Sequence, residues 1–313
     1  MPETLTNIAQ IYGITLLGYI AVKANWFDKK STDGLLKFVF NFSLPPLLFR
    51  SLANAELPDH PPAGLLLSYY LGVFAILIAG LLISRYGFRH SPPQQVIVGF
   101  AGCFSNTVLL GIPIILHIFG ESGELPLFIL ISFHGLTVFS LITIFLELSS
   151  NPAERQIKET IWWGIKNVFK NPIIGGILCG ILFNLADLPY PVLLDPVLKL
   201  LSQTAIPCSL FGLGALLAGY KITGNIRLSM VTLLFKNILH PIIVWILAVQ
   251  VFDVATLWAN VAVMLAAMPT GASVMLFAHR YQQGIEIATT SIFFSTVASI
   301  FTITILLFIL ERV

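Results

Sequence analysis

The chain has 313 residues, 57% of them hydrophobic and only 10% charged, with a net charge of +2 and a mean hydropathy of +0.89. Soluble domains carry roughly 25% charged residues, so this composition cannot build a water-facing surface and describes an all-α integral membrane protein. Polar soluble enzymes, nucleic-acid binders and disordered regulators are excluded. Cys103, Cys179 and Cys208 sit in apolar runs and read as small hydrophobes, not as a disulfide or metal framework.

A membrane helix needs about 20 mainly apolar residues. Ten stretches qualify, at roughly 7–24, 33–54, 64–86, 93–119, 125–148, 172–188, 193–219, 226–251, 255–281 and 286–310. The first follows Met1-Pro2-Glu3-Thr4 with no basic residue ahead of it, so it is expected to be retained as a span and not cleaved as a signal. The connections alternate in charge. Lys23, Lys29 and Lys30 occupy the first, Arg85 and Arg89 the third, Arg155, Lys158, Lys166 and Lys170 the fifth, Lys221 and Arg227 the seventh, and Arg280 the ninth. The second, Glu56-Leu57-Pro58-Asp59-His60, lacks Lys and Arg, as do the fourth (Glu121–Glu124) and the eighth (Asp253); the sixth has Asp187 and Asp195, with Lys199 slightly beyond. Basic loops lie on the cytoplasmic side, which gives a multi-pass protein of the cell (inner) membrane with both termini outside.

The longest polar connection, 150–171, carries Trp162 and Trp163 among its lysines and reads as an amphipathic helix on the inner surface. It separates residues 1–149 from 172–313, five spans each. An odd number of spans per half means that the second half enters from the opposite side, an inverted repeat of the kind used by secondary transporters. Leu44-Pro45-Pro46-Leu47-Leu48-Phe49 in span 2 and Ile206-Pro207-Cys208-Ser209-Leu210-Phe211 in span 7 carry a weak internal match.

Spans 4 and 9, fourth in each half, hold Ser105-Asn106-Thr107-Val108-Leu109-Leu110-Gly111-Ile112-Pro113 and Ala266-Ala267-Met268-Pro269-Thr270-Gly271-Ala272-Ser273. A proline inside a helix removes one hydrogen bond and clashes with the carbonyl four residues back. Breaks are therefore expected at Gly111 and Pro113 and at Pro269, with the first beginning as early as Asn106. Each following half-helix would present its positive amino end near the membrane middle. Two such ends suit a carboxylate held by Ser105, Asn106, Thr107, Thr270, Gly271 and Ser273.

Lys236 lies eleven residues into span 8, roughly 15 Å deep at the helical rise, and an ionisable group at that depth is a functional candidate. Lys236, His240 one turn further on and His134 in span 5 are candidates for coupling or charge balance, with a satisfied buried histidine the simpler reading for the last two. Arg50, Lys37 and Lys199 lie near span ends and are expected to snorkel. All fifteen Asp and Glu fall in loops or near span ends. The fixed charge of the core is positive, which favours an anionic cargo over a sodium or proton exchanger built on a buried carboxylate. No nucleophile–base pair, paired aspartate or metal cluster supports an intramembrane enzyme.

At Ser105–Pro113 and Ala266–Tyr281 the sequence resembles the auxin efflux carrier family, which includes plant PIN-type carriers and many bacterial permeases. Asn-Thr…Gly-Ile-Pro in span 4 and Ala-Ala-Met-Pro…Leu-Phe-Ala-His-Arg-Tyr in span 9 carry the likeness, with Asn171-Pro172 and Leu44-Pro45 in support. The resemblance implies ten transmembrane helices as two inverted five-helix repeats with crossing broken helices 4 and 9, the fold of bile-acid transporters and sodium/proton antiporters. It also implies an elevator-like motion of a transport part against a scaffold, and carriage of organic acids, in bacteria small carboxylates such as malate or malonate. The family's substrate-contacting asparagine falls on Asn106 and its crossing prolines on Pro113 and Pro269. The long loop of the long plant carriers is reduced here to 150–171. No cofactor is implied; coupling to H⁺ or Na⁺ is open, and so is the oligomeric state, a homodimer included.

Overall fold

The computed structural model describes residues 2–57, 62–149, 171–188, 190 and 193–310. The surface helix expected at 150–171 falls outside them, apart from Asn171, as does the middle of the loop after span 2.

Among the described residues the chain is entirely helical, with no strand beyond one isolated bridge. Helix α1 runs Pro2–Lys23, and α2 (Lys29–Phe38) continues through a widened turn (Val39–Ser43) into α3 (Leu44–Ala53). Then follow α4 (Ala63–Tyr86), α5 (Pro92–Cys103), α6 (Ile112–Phe119), α7 (Glu124–Ser149) and α8 (Pro172–Leu185). The remainder is α9 (Asp195–Gln203), α10 (Ala205–Ala218), α11 (Ile226–Leu233), α12 (His240–Trp245), α13 (Thr256–Ala267), α14 (Ser273–Arg280) and α15 (Ile285–Leu310). Among the described residues five stretches are long and apolar enough to cross a membrane: Ala63–Tyr86, Thr107–Ser149, Asp195–Ala218, Ile226–Val251 and Ile285–Leu310.

Polar residues set the helix starts, because the first N–H groups of a helix have no partner within it. The Asp28 carboxylate accepts from the Ser31 N–H at 2.7 Å and opens α2. Ser91 and Gln94 form a capping box at α5. Asn171 accepts from Ile173 N–H at α8, and Asn225 accepts from Arg227 and Leu228 N–H at α11.

Three prolines follow widened turns and do not end their helices. The π turns Val39–Ser43, Thr107–Gly111 and Leu234–Leu239 each end two residues before a proline: Pro45, Pro113 and Pro241. In each, the N–H just ahead of the proline reaches five residues back: Leu44 to Val39, Ile112 to Thr107, His240 to Phe235. One extra residue in the turn moves the carbonyl ladder aside and gives the ring room. The break expected at Gly111 and Pro113 is therefore not there. The helix runs continuously through both, from Thr107 to Phe119, and the interruption lies ahead of it at Phe104–Asn106.

Helix α1 lies along α10, and α3 lies along α8. The first pair touches backbone to backbone: a Cβ on Gly214 would stand 1.7 Å from the Thr15 carbonyl oxygen, and one on Gly18 2.1 Å from that of Phe211. Small residues that let helices approach this closely provide dispersion contact where lipid weakens the hydrophobic drive. In the second pair the Asn184 side-chain amide reaches the carbonyls of Leu52, Ala53 and Ala55 at the end of α3. Arg50 does not snorkel alone; it donates to Asp195 at 2.7 Å, and Tyr190 donates to the same carboxylate at 2.6 Å.

Candidate functional site

The two interruptions meet. Helix α5 ends at Cys103 and the chain becomes extended at Phe104 (φ −86°, ψ 114°). Helix α13 ends at Ala267, and Met268 (φ −58°, ψ 145°) is extended ahead of Pro269, as expected for a residue preceding proline. The extended segments pair antiparallel: Asn106 N–H donates to the Pro269 carbonyl at 2.8 Å, Gly271 N–H to the Phe104 carbonyl at 2.9 Å, and Ser105 bridges Thr270. Gly271 is required by this approach, because a Cβ there would lie 2.6 Å from two Phe104 ring carbons.

Each half-helix end is tied by a side chain from elsewhere. The Thr270 hydroxyl donates to the Ala101 carbonyl near the end of α5 at 2.7 Å, and Thr270 N–H donates to Ser295 Oγ at 3.0 Å. The fully buried Lys236 ammonium donates to the Ala266 carbonyl near the end of α13 and lies 2.9 Å from His240 Nδ1. Among the described residues the ion-pair geometry is met at Arg50–Asp195, and no carboxylate pairs with Lys236.

Ser105, Asn106, Thr107 and Thr270 are all buried. Asn106 Oδ1 accepts from Leu109 N–H at 3.3 Å and caps the helix that starts at Thr107, while its Nδ2 is buried without a partner. Ser105 Oγ accepts from Tyr69 OH at 3.3 Å. The structure thus brings Ser105, Asn106, Thr107, Thr270 and Gly271 into one crossing. Ser273 stands apart from the pairing, half-buried at the start of α14. Pro269 lies in its break; Gly111 and Pro113 do not.

The two histidines are both buried. His134 lies flat on Phe104, centroids 4.6 Å apart, and both its ring nitrogens are buried without hydrogen-bond partners. His240 is met by Lys236 at Nδ1 but has no partner at Nε2. Tyr69 touches both rings, at 5.6 Å and 5.7 Å, and joins them to Ser105. Sequence reasoning missed Tyr69, Phe104 and Ser295: an aromatic or a serine within an apolar span carries no spacing signal, and only the fold shows that they face the crossing. A half-polar pocket of about 630 Å³ opens among Arg50, Glu56, Glu121, Glu124, Phe128 and Trp258 at the helix ends. None of the crossing residues lines it.

Residues 4–307 match the family described as Membrane transport protein. The chain belongs to this family, that of the auxin efflux carriers. As a member it is a multi-pass membrane transporter and not an enzyme. It is 22% identical to the "Putative malonate transporter" of Rhizobium meliloti over 99% of this chain and 97% of that one. It is 23% identical to auxin efflux carrier component 8 of Arabidopsis thaliana over 91% of each, and 24% identical to an uncharacterized transporter of Methanothermobacter thermautotrophicus over 94% of each.

Proposed function

We propose that this transporter carries a small organic acid anion and holds its carboxylate at the crossing. The observation that carries the reading is the unpartnered Asn106 amide nitrogen, buried at the amino end of a half-helix in a core whose buried Lys236 lacks a carboxylate among the described residues. A buried donor without a partner calls for an acceptor, and Lys236 in its protonated form would favour an anionic one. Thr107 and the amino end of the opposing half-helix at Ser273 add hydroxyl and N–H donors from both sides. His134, stacked on Phe104, offers a neutral donor or acceptor to the rest of the molecule. The relative named for malonate supports a small carboxylate of that kind.

The transport cycle is an elevator in a ten-span inverted repeat of the cell membrane, termini outside. Three features support it. Helix α1 pairs with α10 and α3 with α8, which is spans 1 and 7 and spans 2 and 6, pairs that exchange under a 5+5 repeat. Ala101 and Ala266 each stand four residues ahead of the bridged pair Ser105 and Thr270 and are tied alike. The basic loops alternate along the chain. The α1, α3, α8 and α10 group would be the scaffold, and the helices around the crossing the moving part.

Purified protein in proteoliposomes, offered labelled malonate, malate and monocarboxylates, tests this. Saturable uptake by the native chain and its loss in Asn106→Ala are expected. Absence of saturable flux for every carboxylate would overturn the proposal. Cation flux driven by Na⁺ or pH gradients without organic cargo would establish the exchanger instead.

A further inference from the structure

Lys236 sits in the π turn Leu234–Leu239, which packs against α4, α5, α11, α12, α13 and α15. Helix α12 brings His240, whose Nδ1 lies 2.9 Å from the lysine nitrogen. Helix α4 brings Tyr69, whose ring lies between those of His240 and His134 of α7; its neighbour Tyr70 donates to the Leu130 carbonyl. Helix α5 brings Cys103 within electrostatic reach, and its thiol keeps its hydrogen, donating to the Phe100 carbonyl. Helix α13 has no ionisable residue. Arg85 and Tyr86 of α4, Arg227 of α11 and Glu286 of α15 stand in the end turns of their helices. No carboxylate among the described residues pairs with Lys236.

The hydrogen bonds around the nitrogen match that setting. An ammonium carries three N–H donors and a neutral amine two. Two partners meet Lys236 among the described residues, the Ala266 carbonyl and His240 Nδ1, and the side chain is fully buried. An ion held out of water needs a counter-ion or gives way to its neutral form. The crossing is where a counter-ion would stand. Ala266, held by Lys236, precedes Pro269 by three residues, and the Pro269 carbonyl accepts the Asn106 N–H. Three residues of chain reach at most about 11 Å, which puts a carboxylate at Asn106 roughly 12 Å from the lysine nitrogen.

We propose that Lys236 gains a proton as the cargo anion binds and releases it as the cargo leaves, so that anion and proton cross the membrane together. The inference rests on the carboxylate reading above and adds the coupling ion to it. The proton comes from bulk water with the anion on one side and returns to bulk water on the other, and the loaded pair carries no net charge. At that distance and an effective dielectric of about 20, one charge raises the other's proton affinity about tenfold. A tenfold change moves about half a proton per anion at the midpoint of titration, and a drier core moves more, up to one.

Isothermal titration calorimetry of the full-length protein in detergent tests this. Malonate is titrated across pH 6–9, at each pH in two buffers of different ionisation enthalpy, and the difference in heat counts the protons taken up per anion. At the pH of largest uptake the native protein is expected to take up at least about half a proton more than Lys236→Arg, because arginine keeps its charge throughout and has none to gain. Any proton gained by the second carboxylate of malonate is common to both proteins and cancels. Lactate needs no variant: its carboxylate stays ionised over this range, so the native protein alone should take up at least about half a proton per lactate. Equal counts in native protein and Lys236→Arg, or lactate bound with no proton, would overturn the proposal. Absence of binding heat for both acids in the native protein would instead overturn the carboxylate reading beneath it.

Discussion

The meeting of the two interrupted helices can be tested with one methyl group. In Gly271→Ala the new Cβ lies 2.6 Å from Cδ1 and Cε1 of Phe104 and 3.1 Å from the Ser105 carbonyl oxygen. Carbon atoms rest at about 3.5–4.0 Å, so the ring or the backbone must retreat by about 1 Å. The ring has little room: it is stacked on His134 at 4.6 Å and packed against Phe100 at 5.0 Å and Phe139 at 5.1 Å. The backbone is fixed by the Gly271–Phe104 and Asn106–Pro269 hydrogen bonds. Overpacking of this kind costs about 1–3 kcal/mol, roughly 5- to 140-fold in the ratio of folded to unfolded protein. Thermal unfolding of the purified protein in detergent reads the loss, with Gly175→Ala as control, since a Cβ there meets nothing within 4 Å. Carboxylate uptake should fall with stability, because Phe104 carries His134 with it. If Gly271→Ala unfolds and transports as the native protein does, the two segments are not held at this distance and the geometry of the crossing is refuted.

Replacing Lys236 with Met removes the ammonium that ties the Ala266 carbonyl. Saturable carboxylate uptake is expected to drop about tenfold or more, as for a lost charge-assisted hydrogen bond, with part of the activity restored in Lys236→Arg; initial rates in proteoliposomes measure it. Asn184→Ala leaves the carbonyls of Leu52, Ala53 and Ala55 without their amide donor. It should cost about 1–2 kcal/mol, seen as a lower unfolding midpoint with faster amide exchange where α3 ends. His90, in the loop before α5, accepts from or donates to Ser84 Oγ at 3.0 Å, and burial holds its pKa below the ordinary histidine value. The unfolded chain therefore takes up that proton first as pH falls, and stability is lost below about pH 6.5. Unfolding midpoints at pH 7 and pH 5 should differ less in His90→Gln than in the native protein.

Composition and turn residues made the helical membrane character legible, and the caps Asp28, Ser91, Asn171 and Asn225 stand where their side-chain chemistry places them. The break at Met268–Pro269 was legible too, because a residue before proline avoids the helical region. Of the range expected for its partner, Asn106 to Pro113, only the Asn106 end holds, for a physical reason. Pro113 resembles Pro269 in sequence, but Thr107–Gly111 widens by one residue and carries the helix past the ring, whereas α13 stops at Ala267 and Met268 is extended. What opens the first break is Asn106, whose side chain caps the helix after it, together with the backbone pairing to Pro269, a contact between residues 163 apart in number. No local pattern encodes that. The same holds for Tyr69 and Ser295, and for Arg50, whose partner Asp195 lies in the other half of the chain.

The crossing is symmetric in backbone and asymmetric in charge, and the asymmetry bears on what it can hold. Each half-helix carries about half a positive charge at its amino end and half a negative charge at its carboxyl end, so the four half-helix ends sum to nothing. Near the end of α5 the Ala101 carbonyl receives the neutral Thr270 hydroxyl. Near the end of α13 the Ala266 carbonyl receives the Lys236 ammonium. Protonated, the lysine would add one positive charge that no carboxylate among the described residues offsets. With Lys236 protonated, a guest of single negative charge would bring the core to neutrality, and a doubly charged one would overshoot it. On the function proposed above, a dicarboxylic acid would then enter as its hydrogen-anion, with one carboxylate at Asn106 and the protonated end toward His134.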